Sequence, residues 1–452
     1  MTESSVRALA ASFTVLAYAA LCLAIWFRQR GLRTADARTA AALAGSGEDR
    51  SVPVLVLFAS QTGSAEAIAW QTGRALHAQG TPCRVMALNA LDLQTLQSAR
   101  RALFIASTYG EGDAPDNAGL FVELLMKKPG APPDLTNLGY AMLALGDRQY
   151  AQFCGFACAL DDWLRTTGAV STAPRIEADN CDAEALAAWH ARWGGAVESE
   201  TQTRWRLVSR KLLNPGSAGG PVYEIGLRAA AGATANWESG DLVRIVLESD
   251  PGRPRDYSIA SIPADGELQL LVRQERHSDG RLGAASGLLT STLALGESVE
   301  LQLRPHDNFR LGRNAGVPLI LIGNGTGLAG LRSHLRARAA AGQHANWLLF
   351  GERNVTHDSL CADEIVGWRR NGVLQRLDPV FSRDQVERLY VQHRLLQLAD
   401  EVRCWLAQGA AIYVCGSLQG MAGGVDAALR QIAGDALVRE LTAEGRYRRD
   451  VY

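Results

Sequence analysis

Three short stretches of this 452-residue chain hold residue types that grip a phosphate and a flat ring. The first, Ser60-Gln61-Thr62-Gly63-Ser64-Ala65, offers three hydroxyls and free backbone N–H groups at the start of a helical run. Such groups form an anion nest, and the same residues equally form an ordinary Ser/Thr helix cap. No lysine follows the glycine, so this is not a nucleoside-triphosphate loop. The second stretch is Ser107-Thr108-Tyr109-Gly110, and the third is Leu145-Gly146-Asp147 with Tyr150, Phe153 and Cys154 behind it. Tyr109 and Tyr150 can sandwich a flat ring while the glycines admit backbone amides to its polar edge. A buried core thiol is the competing reading of Cys154.

A second set lies further along. Arg255-Asp256-Tyr257-Ser258 offers a guanidinium fork for a diphosphate and an aromatic face, and Gly283-Ala284-Ala285-Ser286 offers a small-residue helix start. The apolar run Val317 to Ile322 leads into Gly323-Asn324-Gly325-Thr326-Gly327-Leu328-Ala329-Gly330, a strand-glycine-helix unit suited to a dinucleotide. Ala411 to Val414 delivers Cys415-Gly416 to the same sheet edge, and the chain ends Arg446-Tyr447-Arg448-Arg449-Asp450-Val451-Tyr452.

From about Pro53 to Tyr452 these stretches resemble the diflavin reductases, the family of NADPH-cytochrome reductase and the NADPH-sulfite reductase flavoprotein. The three loops are similar to those of flavodoxins. The closest likeness lies in Ser382-Arg383-Asp384-Gln385, Tyr390-Val391-Gln392, Ile412-Tyr413-Val414-Cys415-Gly416 and Arg449-Asp450-Val451-Tyr452. The resemblance implies FMN in the first three loops. It implies FAD on Arg255, Asp256, Tyr257, Ser258, Gly283, Ala284, Ala285 and Ser286, with Tyr452 stacked on its ring. It further implies NADPH at Thr326, with its 2'-phosphate on Ser382, Arg383, Arg388, Tyr390 and Gln392, and Ser258, Cys415, Asp450 and Tyr452 at the point of hydride transfer.

The implied partner is a haemoprotein electron acceptor, such as a sulfite reductase haem subunit or a cytochrome; the alternative is a free-standing reductase of quinones or ferric chelates. Several positions depart from the family. Asn324 and Gly330 stand where relatives commonly have proline, Ser417 where an aspartate follows the Cys-Gly pair, and Arg388 where a lysine is usual. The segment from Arg204 to Arg255 is too short for the helical connecting domain of the long relatives.

The elements that must position these residues follow from the hydropathy pattern. Val52 to Ala59, Arg101 to Ser107 and Tyr140 to Leu145 read as buried strands, alternating with helices over Ala65 to Ala78 and Phe156 to Thr167. Such alternation predicts an α/β, flavodoxin-like doubly wound parallel sheet whose strand ends carry the ligand loops. Past a helix ending near Ala196, short runs such as Leu242 to Leu247, Leu268 to Val272 and Val299 to Leu303 predict an antiparallel barrel like that of ferredoxin reductases, before an α/β NADP-binding domain. The expected domains are residues 51–198, 199–312 and 313–452, preceded by an anchor and tether over 1–50.

Composition agrees with large folded domains: 47% of residues are hydrophobic and 21% charged. Forty-six basic and forty-seven acidic residues give a net charge of -1, so nothing global draws the chain to nucleic acid. Only Lys127, Lys128 and Lys211 are lysines, so anion sites must use arginine. Eight scattered cysteines without metal spacing argue against a metal site or disulfide scaffold. Ala8 to Phe27 is a twenty-residue uncharged run, long enough to span a ~30 Å hydrocarbon core. Arg28, Arg30, Arg33 and Arg38 follow it, so the expected topology is a single-pass helix in the inner membrane with the catalytic domains cytoplasmic.

Overall fold

A computed structural model describes residues 52–452 apart from 111, 149, 195–201, 231–235 and 248–249. The expected membrane helix and tether lie outside the described residues. Among the described residues no helix is long and apolar enough to cross a membrane.

The first sheet is wholly parallel, with β1 (Val54–Ala59) flanked by β2 (Cys83–Ala87) and β3 (Arg101–Ser107), then β4 (Gly139–Gly146) and the short β5 (Val170–Ser171) and β6 (Ile176–Asp179). Every residue of β1 is buried, as a strand covered on both faces requires. Strand order reverses between β1 and β3, which opens a crevice at their carboxyl ends. The loops after β1 and β3 flank it, and the helices Ser64–Ala78 and Gly155–Thr166 lead away from it.

A six-stranded antiparallel barrel sheet follows, in the order β10 (Asp250–Ser258), β9 (Leu242–Leu247), β12 (Ser298–Arg304), β7 (Thr203–Leu212), β8 (Val222–Ala229) and β11 (Leu268–Arg273). Trp205, Leu207, Ile225, Leu227 and Val243 fill its interior. The third sheet is parallel, in the order β15 (Arg376–Phe381), β14 (Asn346–Glu352), β13 (Leu319–Asn324), β16 (Ala411–Gly416) and β17 (Tyr447–Val451). Its order reverses between β13 and β16, so the glycine turn after β13 and Cys415-Gly416 meet at one crevice.

Strand starts differ from the hydropathy runs by two residues, at Val54 after Pro53 and at Leu319 after Pro318, because proline has no N–H for the ladder. The helix expected to end near Ala196 ends at Trp193, where Gly194 turns out at φ +80.

Candidate functional site

The loops after β1, β3 and β4 meet on one cavity, lined by Gln61, Thr62, Ser64, Ser107 to Gly110, Leu145 to Asp147 and Tyr150. Gly63 adopts φ +89 to turn the chain from β1 into its helix. Gly110, at φ +50, lies so close to Leu418 that an added Cβ would stand 2.3 Å from Cδ2 of that residue. Thr108 Oγ1 is buried with no hydrogen-bond partner, as is Ser60 Oγ. Thr108 lines the cavity whereas Ser60 does not, and a buried hydroxyl left unpaired there is costly unless a ligand satisfies it, so the Thr108 hydroxyl fits the phosphate or polar ring edge of FMN. The opposite wall belongs to the barrel and the C-terminus, with Arg244, Pro254, Asp256, Val451 and Tyr452.

Two expected ligands fall elsewhere. Cys154 is fully buried in the sheet's core, with its thiol pushed up to about 12 by desolvation, and does not line the cavity. Asp256 faces the FMN-side cavity rather than a separate FAD surface, held by two 2.8 Å hydrogen bonds from Arg244. A carboxylate so paired anchors the wall, and as an anion it does not bind a diphosphate. Phe153 sits beside the cavity under the guanidinium of Arg148, 4.4 Å from its ring centre.

Ser258, Cys415 and Asp450 converge although 192 and 35 residues separate the pairs they form. Ser258 Oγ donates to Asp450 Oδ2 at 2.7 Å, and Cys415 Sγ stands 3.6 Å from the same oxygen. All three are buried. Burial and the Asp450 carboxylate push the Cys415 thiol well above its ordinary range, so it stays protonated. The register explains the meeting: Cys415 of β16 pairs with Asp450 of β17. Tyr452, one residue beyond β17, is half exposed and donates its hydroxyl to Thr326 Oγ1 at 3.1 Å. Tyr257 is partly buried on β10, and desolvation raises its phenol to about 12. Among its described contacts the Arg255 guanidinium donates to the carbonyls of Arg253 and Pro254, which leaves its charge for an anion such as the FAD diphosphate. Gly283 precedes the short helix Ala284–Gly287, and Ser286 Oγ accepts from the N–H of Glu275.

The third site is a cleft of about 920 Å³ between barrel and third sheet, within the range of small-molecule sites. Asn324, Gly325, Glu352, Ser382, Arg383, Tyr390 and Gln392 line it. The glycines serve contact between strand ends: a Cβ on Gly327 would stand 2.2 Å from the carbonyl oxygen of Cys415. Asn324 Oδ1 accepts from the N–H of Ser417 at 2.9 Å, so two of the departures from the family pattern support each other. Gln392 Oε1 is buried without a partner, a vacancy that suits a coenzyme donor group. Arg388 is exposed on the same turn but does not line the cleft, unlike Arg383.

Sequence reasoning missed Arg304, His306 and Asn308. Arg304 Nη2 donates to Ser64 Oγ at 2.9 Å, His306 Nε2 lies 3.0 Å from the carbonyl oxygen of Gln61, and Asn308 Nδ2 donates to the carbonyl of Ser60 at 3.1 Å. They close the first loop from the barrel side, and no local motif announces a contact made between domains.

Residues 56–193 match the flavodoxin family and residues 321–427 the oxidoreductase NAD-binding domain family. The chain is 29% identical to the sulfite reductase [NADPH] flavoprotein alpha-component of Vibrio parahaemolyticus, covering 88% of this chain and 86% of that protein. It is 25% identical to the protein of the same name from Bacillus subtilis, covering 89% of each. The first alignment runs over 538 residues, more than this chain has, so that relative carries segments with no counterpart here. With these matches and relatives, the chain is an NADPH-dependent flavoprotein oxidoreductase whose cofactors are FMN, FAD and NADPH.

Proposed function

We propose that this diflavin reductase carries electrons from NADPH through FAD and FMN to a one-electron haemoprotein acceptor, of the kind that the relatives' name, sulfite reductase, implies. The bound flavins supply the change from a two-electron hydride donor to single-electron delivery. The observation that supports the reading is the shared cavity, where Tyr109 and Tyr150 of the flavodoxin loops face Tyr452 and the barrel. Ser382 and Arg383 would hold the coenzyme's 2'-phosphate, and Tyr452 would cover the ring face of FAD. Asp450 keeps the Cys415 thiol protonated and orients it and the Ser258 hydroxyl toward one oxygen, which fixes a polar wall at the point where the nicotinamide and flavin would meet.

The apolar run Ala8 to Phe27, with arginines after it, supports an anchor in the inner membrane with these domains on the cytoplasmic side. That placement favours a second reading, reduction of quinones or ferric chelates near the membrane. The test is to reduce the purified full chain with NADPH and offer haem proteins, quinones and ferric chelates in parallel. Tyr109→Ala and Tyr150→Ala are expected to lose FMN selectively and keep FAD, abolishing haemoprotein reduction; loss of FAD instead overturns the assignment of the two flavins to their domains.

A further inference from the structure

The coenzyme cleft contains an ion pair that faces its glycine turn. Arg273, at the end of β11, reaches across from the barrel, and its Nη2 stands 3.6 Å from Glu352 Oε1 at the end of β14. The same Nη2 lies 3.4 Å from where a Cβ on Gly325 would be, and Glu352 Oε1 lies 3.8 Å from that point. In strand-glycine-helix units the coenzyme diphosphate sits against this turn, because the backbone N–H groups and helix start favour an anion there. A cation and a carboxylate therefore stand together where a diphosphate must lie.

We propose that Glu352 sets coenzyme affinity by competing with the dinucleotide diphosphate for Arg273. The proposal rests on reading this cleft as the NADPH site. Without ligand, the carboxylate neutralises the guanidinium. When the diphosphate arrives, Arg273 turns to it and Glu352 becomes a buried anion beside another anion. The price is paid in affinity, and it fades when Glu352 is protonated. The groups around Glu352 are Arg273 from β11, Arg353 and Asp358 from the segment after β14, Glu275 and Arg276 after β11, and Arg383 after β15. Arg353 N–H also donates to Glu352 Oε2 at 3.1 Å, and the carbonyl of Glu352 accepts from Ser382 N–H. Desolvation, reinforced by the charge of Asp358, raises the Glu352 carboxyl to about 7 against the pull of Arg273. The competition thus operates at pH 8 and weakens at pH 6.

The test is calorimetric binding of NADP+ and of 2'-AMP to the flavin-loaded full chain. 2'-AMP carries the 2'-phosphate but no diphosphate. Glu352→Gln is expected to tighten NADP+ roughly three- to tenfold at pH 8, the scale of losing one partly buried charge repulsion, and to leave 2'-AMP unchanged. The coenzyme's own 2'-phosphate titrates near pH 6, so the quantity read is the ratio of variant to wild type, which should approach one at pH 6. Combined with Arg273→Gln, the glutamine at 352 should give much less than this gain. An unchanged NADP+ affinity at pH 8, an equal gain for 2'-AMP, or the full gain without Arg273 overturns the proposal. Arg383→Ala separates the two levels: if it weakens 2'-AMP, the cleft reading stands whatever Glu352 does, and if it does not, the cleft reading and the proposal fall together.

Discussion

Arg383 and Arg388 look equivalent in the sequence, two arginines on one turn, each with an acid next to it in the chain, Asp384 and Glu387. The structure separates them. Arg383 lines the cleft, with its N–H on the carbonyl of Arg353, whereas Arg388 is exposed and does not line it. A charge-assisted hydrogen bond to a phosphate contributes ~1.5 to 3 kcal/mol, which is roughly ten- to a hundredfold in kcat/KM. Arg383→Ala is therefore expected to lower kcat/KM for NADPH by that factor and leave NADH nearly untouched, while Arg388→Ala has a smaller effect. Steady-state reduction of ferricyanide with each coenzyme measures both. Equal losses from the two variants would show that the turn closes on the coenzyme and that the ligand-free geometry misleads; equal losses with NADPH and NADH would show that neither arginine reads the 2'-phosphate.

At the scale of elements, the helix Leu328–Ala340 after the glycine turn carries an unusual load. It buries Arg332, His334 and Arg338 along with its leucines. Among the described residues Arg338 pairs with no carboxylate: its Nη1, Nη2 and Nε donate to the carbonyls of Ala315 and Ala345 and to Asn346 Oδ1 at 2.6, 3.1 and 2.7 Å. Burial lowers its pKa to about 10, so it remains charged at neutral pH and ties the helix to the entry of β13 and of β14. Arg338→Ala would strand these acceptors and open a cavity, with an expected cost of ~3 to 5 kcal/mol, seen as a lower midpoint in thermal unfolding. A change under ~1 kcal/mol would mean that water replaces the guanidinium.

This helix shows what the sequence discloses and what it hides. Its place was legible from the apolar run and the glycines, and so were the three loops, because strand ends and turn residues are local signals. Its face was not legible, since it is buried nearly all round and lacks a polar stripe. The same holds for β10, whose proline and charged residues form no apolar strand run, whereas the meeting of Ser258 with Asp450 was implied only by the family resemblance and not by any local signal.

At the scale of the molecule, the flavodoxin domain is docked on the rest of the chain by ion pairs together with the hydrogen bonds of Arg304, His306 and Asn308 to its first loop. Arg449 Nε donates to Asp116 Oδ1 at 3.0 Å, Arg439 Nε lies 2.8 Å from Glu123 Oε2, and Tyr109 donates its hydroxyl to the carbonyl of Val451. The flavin cavity is walled by both sides of this junction and keeps an open side at the exposed Tyr150, so docking covers part of the surface that a protein-sized acceptor could meet. A haemoprotein that uses the covered part needs the junction to open, and the acids on the flavodoxin edge are shared between the chain's own arginines and any partner. The partly exposed Arg439–Glu123 pair is weak and screened by salt, contributing ~0 to 1 kcal/mol, while Arg449–Asp116 is the more buried pair, so added salt and loss of Asp116 should each loosen the docked state. Raising ionic strength from ~50 to ~500 mM, between Debye lengths of about 14 and 4 Å, should expand the molecule in small-angle scattering. Asp116→Asn should expand it already at low salt and speed reduction of a protein acceptor several-fold. A radius of gyration insensitive to both salt and substitution would mean that packing, not charge, holds the domains together. Electron delivery would then occur from the docked arrangement, through the open side of the cavity at Tyr150.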